Sequence, residues 1–101
     1  MANDYLYAPM IRIAIVDDHA MVRAGLRQFF ADQPDFQVVA EAVNGRDALD
    51  IVRQGEVDVM VMDISMPDHS GVDALVAIKA RAPDLPVLIL SGFAEVHYAT
   101  T

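Results

Sequence analysis

Apolar residues along this chain come in short runs, separated by longer stretches in which they recur every three or four positions. The runs IRIAIV (11–16), FQVVAEA (36–42), VDVMVM (57–62) and PVLIL (86–90) have the length and β-branched content of buried strands. From His19 to Asp32 the spacing predicts a helix with Val22, Leu26, Phe29 and Phe30 on one face, and Pro34 follows as a stop. Asn44 with Asp47 three positions on predicts an N-cap and an acidic first turn, opening a second helix that carries Ala48, Leu49 and Val52 and stops near Gly55. Ser70 with Asp73 repeats that pattern. Val72, Leu75, Val76 and Ile78 form the expected buried face of the third helix, which runs to about Ala82. Residues 94–101 are read as the start of a fourth helix, and residues 1–10 as a short tail preceding a domain over 11–101. Strands and helices in strict alternation call for right-handed crossovers, hence an α/β fold with a doubly wound parallel sheet and helices on both faces.

Composition narrows the function. At 101 residues the chain is one domain, and its 54% hydrophobic content is enough for a single core. No Cys is present, which excludes disulfides and thiolate metal sites and fits a reducing, cytoplasmic setting. Fifteen acidic against seven basic residues give a net charge of −8, so direct contact with nucleic acid or an anionic membrane is not expected of this segment. No apolar run approaches the roughly 18 residues of a membrane span, and MANDYLYAPM lacks the basic start and apolar centre of a signal peptide.

In doubly wound sheets ligands collect at the carboxyl ends of the strands, where the strand order reverses. The first strand ends in Asp17 and Asp18, the third in Asp63, and the fourth in Ser91-Gly92. If the first and third strands are neighbours, about 4.8 Å apart, the three carboxylates converge. Such a group repels itself unless a cation compensates, and oxygen ligands without His or Cys favour a hard ion such as Mg²⁺. An Asp at a strand tip is then a nucleophile able to form an aspartyl phosphate, with Ser91 donating a hydrogen bond to a phosphoryl oxygen and Gly92 letting the backbone approach. Taken singly, Asp17 or Asp18 reads as a helix cap, Asp63 as a turn initiator, and His19 and His69 as exposed loop residues. What favours chemistry is that the acidic and hydroxyl groups fall on one edge of the sheet.

The segments IAIVDDH, VMVMDISMPDHSGVDAL and PVLILSG together resemble the receiver domain of bacterial two-component response regulators, in order and placement, from about Ile11 onward. DDHAMVRAGL with DISMP is most similar to the NarL/LuxR-type subfamily, whose receivers usually precede a helix-turn-helix DNA-binding domain. The resemblance implies a flavodoxin-like fold and a phosphorylation-dependent switch controlling transcription. Asp63 would accept phosphate from the phosphohistidine of a sensor histidine kinase. Asp18, Asp63 and the backbone carbonyl of Ser65 would hold Mg²⁺, Asp17 would assist through a metal-bound water, and Ser91 would act as the hydroxyl switch. Such a domain catalyses only its own phosphoryl transfer and dephosphorylation, so it is not an enzyme on other substrates.

Two features depart from that pattern. Asp68-His69 adds charge beside the site, and the last strand, with its phosphate-binding lysine and switch aromatic, and the last helix are not found; Lys79 belongs to the third helix. On this reading the fold lacks its last strand and helix. PVLIL then becomes an open apolar sheet edge, and self-association is expected there. The alternatives are a phosphohydrolase of the haloacid dehalogenase type, whose Asp-x-Asp the adjacent Asp17-Asp18 do not match, and a dimerisation module that works without phosphorylation.

Overall fold

The computed structural model describes residues 10–64, 70–90 and 96–99. The elements follow in the order β1 (Ile11–Val16), α1 (Ala20–Ala31), β2 (Phe36–Ala42), α2 (Gly45–Gln54), β3 (Val59–Asp63), α3 (Ser70–Arg81), β4 (Val87–Leu90) and β5 (Val96–Ala99). One sheet contains all five strands in the order β2-β1-β3-β4-β5, the first four mutually parallel. β1 and β3 are therefore neighbours, and the order reverses beside them, as the convergence of Asp17, Asp18 and Asp63 requires.

Alternate residues of β1 face opposite sides, so the strand feeds two cores. Ile13 and Ile15, with Val61, pack with Leu26 and Phe30 of α1. Ala14 and Val16, with Met60, Met62, Val87 and Ile89, pack with Ala48 and Val52 of α2 and with Ala74 and Ile78 of α3. Helices thus cover both faces, as expected of a doubly wound sheet.

Local chemistry sets the ends of α2. Asn44 accepts a hydrogen bond from the Asp47 N–H at 2.8 Å, and Gly55 closes the helix in the left-handed region at φ 71°, which a residue with a Cβ rarely adopts. Lys79, on α3 as expected, donates to the carbonyls of Pro83 at 3.1 Å and Leu85 at 2.9 Å and so secures the turn into β4.

The structure corrects several expectations. On α1, Val22 and Phe29 are exposed, and Leu26 and Phe30 alone of the expected four join the core. On α3, Val72 and Val76 are exposed; Ala74 and Ile78 are buried and Gly71 lies inside the helix. β3 begins two residues later than expected and includes Asp63 as its last residue. Residues 96–99 form a strand antiparallel to β4, not a helix, and contain no lysine. The outer edge of β4 is thereby paired within the chain, which removes the open edge on which self-association was expected.

Asp58, just before β3, holds the start of β1. Its carboxylate accepts from the Arg12 N–H at 2.8 Å and from the Arg12 guanidinium at 3.2 Å through each oxygen, while its own N–H donates to the Arg12 carbonyl at 2.8 Å. The guanidinium and the backbone N–H hold the Asp58 carboxyl below its ordinary 3.8. A carboxyl depressed by folding stabilises the fold above its unfolded value, and that contribution disappears as pH falls through the folded value. Wild type is therefore expected to be more resistant to urea than Asp58→Asn at neutral pH, with the gap closing only below about pH 3.8. Urea midpoints across that range check it, and a gap independent of pH would contradict the assignment.

Candidate functional site

The site is assembled where β1 and β3 end. The Asp17 N–H donates to the Ala42 carbonyl at 3.0 Å, extending the β1–β2 pairing one residue past the strand and burying Asp17. Its Oδ1 accepts from the His19 N–H at 2.7 Å, a side-chain-closed turn that sends the chain into α1. The N-cap of α1 is His19, whose side chain makes no hydrogen bond to the first turn of the helix, so neither Asp17 nor Asp18 is the helix cap. Arg23, one turn into α1, donates to the Asp17 carbonyl at 2.8 Å and lies 3.4 Å from Glu41 of β2, which also pairs with Arg27 at 2.6 Å. These contacts tie the turn after β1 to its neighbouring strand.

Asp63 enters from β3, in register with Leu90 of β4, its side chain only 9% exposed. Asp17, Asp18, His19 and Asp63 each bring one ligand atom into a cluster in which all four lie within 4.8 Å of one another. His19 Nδ1 lies 2.8 Å from Asp17 Oδ1, 3.0 Å from Asp18 Oδ1 and 3.8 Å from Asp63 Oδ2. The hydrogen bond to Asp17, then the charges of Asp18, Asp17 and Asp63, raise the His19 pKa above its ordinary 6.5.

Two buried carboxylates beside a third call for positive charge at their centre. One observation fits a cation there directly. Asp18 Oδ1 is buried and, among the described residues, has no hydrogen-bond partner; its 3.0 Å approach to His19 lies outside hydrogen-bonding geometry. A divalent ion would use that oxygen as a ligand, and the carboxylate set suits Mg²⁺.

The structure therefore brings together Asp17, Asp18 and Asp63 as the sequence predicted. Ser65 and Ser91, with Gly92, Asp68 and His69, lie outside the described residues. The sequence left His19 as an exposed loop residue beside the site and assigned Arg23 no role. For His19 the signal was its position directly after the acid pair in VDDH; for Arg23 it was only a helical spacing of four from that histidine.

The family model of the response regulator receiver domain matches residues 13–101. The chain belongs to that family. A transcriptional regulatory protein, DegU of Brevibacillus brevis, is 38% identical over 98 residues, covering 97% of this chain and 42% of DegU. A protein-glutamate methylesterase/protein-glutamine glutaminase of Paramagnetospirillum magneticum is 44% identical over 89 residues, covering 88% of this chain and 25% of the enzyme. Among solved structures, a two-component response regulator of the LuxR family from an Aurantimonas species superposes with a TM-score of 0.75 at 34% identity, over 81% of this chain and 59% of that one. This receiver is of the NarL/LuxR type, and it spans less than half the length of these two curated relatives. Receiver domains are mostly non-enzymatic signalling modules, although one relative here bears the name of an enzyme, of which this chain covers 25%. No helix among the described residues is long and apolar enough to cross a membrane.

Proposed function

We propose that this receiver is a switch in which Asp63 takes a phosphoryl group from the phosphohistidine of a sensor histidine kinase, with Mg²⁺ held by Asp17, Asp18, Asp63 and the backbone carbonyl of Ser65. The observation that carries the reading is the convergence of three carboxylates from two adjacent strand tips within 4.8 Å. A carboxylate oxygen of Asp63 attacks phosphorus, forming an O–P bond as the P–N bond to the kinase histidine breaks and its nitrogen leaves with the electron pair. Asp63 is suited to this because, as the last residue of β3 and in register with Leu90 of β4, it stands at the carboxyl edge of the sheet; phosphoryl transfer depends mostly on positioning and charge compensation. Mg²⁺, when bound, supplies that compensation. Asp17 and Asp18 hold it from the β1 side, and the Arg23 contact to the Asp17 carbonyl keeps their turn in place. Ser91 follows β4 in sequence and carries the hydroxyl that reads the phosphoryl group, turning a local charge change into a displaced loop.

The output is regulation of transcription through a DNA-binding domain outside this chain, a reading supported by the likeness to DegU and to the LuxR-family regulator. A net charge of −8 keeps this segment itself off DNA. Association with a second copy, with β4 covered, falls to exposed apolar side chains such as Phe29 and Val76.

Incubation with acetyl phosphate and Mg²⁺ is expected to add one phosphoryl group per chain by intact mass, and chelation of the metal to prevent it. Absence of any adduct would overturn the reading, as would steady phosphate release from assorted esters, the mark of a hydrolase.

A further inference from the structure

The contacts of His19 are not those of an ordinary loop histidine. Its Nδ1 stands 2.8 Å from Asp17 Oδ1 and 3.0 Å from Asp18 Oδ1, with Asp63 Oδ2 at 3.8 Å. Two ligands side by side on an octahedral ion, each about 2.1 Å from it, stand about 3.0 Å apart, and opposite ligands about 4.2 Å apart. Nδ1 is thus spaced from both β1 carboxylates as an adjacent ligand would be, and from Asp63 at an intermediate distance.

A purely hydrogen-bonded imidazole accounts for only half of this. The one proton on Nδ1 goes to Asp17 and leaves Asp18 Oδ1 buried without a hydrogen bond among the described residues. A shared cation satisfies both oxygens and the nitrogen at once. The backbone favours it as well: the bond from the His19 N–H to Asp17 Oδ1 fixes the residue at the mouth of the cluster. The side chain remains 59% exposed, so an ion reaches it from solvent.

We propose that His19 is a further ligand of the acidic site, giving it one imidazole nitrogen among its carboxylates and a selectivity for nitrogen-favouring divalent ions such as Ni²⁺ and Co²⁺ over Mg²⁺. The inference rests on the metal-site reading under Proposed function and adds a ligand to it. A carboxylate set holds hard ions and discriminates little among them, whereas imidazole raises affinity towards the nickel end of the divalent series. The identity of the resident ion then depends on which divalent ion is available, and His19 sets how far Ni²⁺ or Co²⁺ displaces Mg²⁺.

The test is calorimetric titration of the full chain with Mg²⁺ and, separately, Ni²⁺ in mildly alkaline buffer, for wild type, His19→Asn, His69→Asn and Asp18→Asn. Alongside it, Mn²⁺-loaded protein is examined for nitrogen-14 modulation in pulsed electron paramagnetic resonance. His19→Asn is expected to weaken Ni²⁺ by about tenfold or more while changing Mg²⁺ by less than about threefold, and to remove the nitrogen modulation. His69→Asn is expected to change neither. An unchanged ratio of the two affinities in His19→Asn overturns the proposal, as does tighter binding of both ions, which would make the imidazole a competing internal cation. Nickel binding that is lost in His69→Asn overturns it too. If Asp18→Asn leaves Mg²⁺ binding intact, the underlying metal-site reading fails instead.

Discussion

Asp63→Asn is expected to abolish phosphorylation of the chain by acetyl phosphate or a kinase while leaving the fold intact. Asn has nearly the same shape, so the β3–β4 pairing that ends at Asp63 and Leu90 has no reason to change. What disappears is the nucleophile, because an amide oxygen does not form a stable acyl phosphate under these conditions. One of three carboxylates lying within 4.8 Å of each other is also neutralised. Relief of that repulsion is expected to raise the melting temperature of the metal-free protein, and loss of a ligand to shrink the further rise that Mg²⁺ brings to wild type. The two readouts are independent: intact mass reports the acceptor, and melting curves with and without Mg²⁺ report the charge cluster. A phosphoryl adduct that persists in Asp63→Asn would place the acceptor on another residue. Melting that falls sharply in metal-free buffer would show that the carboxylate is held by contacts stronger than the repulsion.

The features of this receiver that were legible in the sequence are those written in nearby residues or fixed by the sheet topology. Asn44, Asp47 and Gly55 were readable as a cap, an acidic first turn and a stop because each acts on backbone within four positions of itself. The acidic cluster was readable because strand ends in a parallel sheet converge by topology, whatever the side chains do. The apolar faces of α1 and α3 were read less well. A helical spacing marks candidates without ranking them, and here small residues, Ala74 and Gly71, lie buried on α3 while the larger Val72 and Val76 face outward. The last strand was misread for want of length. Val96 and Tyr98 alternate with His97 and Ala99, a period of two, but four residues are too few to tell from a helix start. His19 was read as an exposed loop residue beside the site, because a single histidine past a strand has no periodic signature that would join it to the acidic cluster. Its place depends on a turn closed by Asp17, and that turn exists only in three dimensions.

The two faces of α3 give a stability contrast that the sequence alone would not suggest. Ile78→Ala is expected to destabilise the domain by about 2–5 kcal/mol, since a wholly buried branched side chain is cut back within the core that α3 shares with α2 and the sheet, leaving a cavity there. Val76→Ala, two residues earlier, is expected to shift stability by no more than about 0.5 kcal/mol, because that side chain is 68% exposed and the better helix propensity of Ala offsets what little packing is lost. Equilibrium urea unfolding of both variants in the presence of Mg²⁺ measures the difference with the acidic cluster compensated in each. Equal losses would mean that α3 is rotated on the sheet so that both side chains are buried. A large loss for Ile78→Ala alone fixes the helix as described, with Ala74 and Ile78 inward. Ala74 and Ile78 would then share with Met60 and Met62 the core beneath β3, the strand that ends in Asp63.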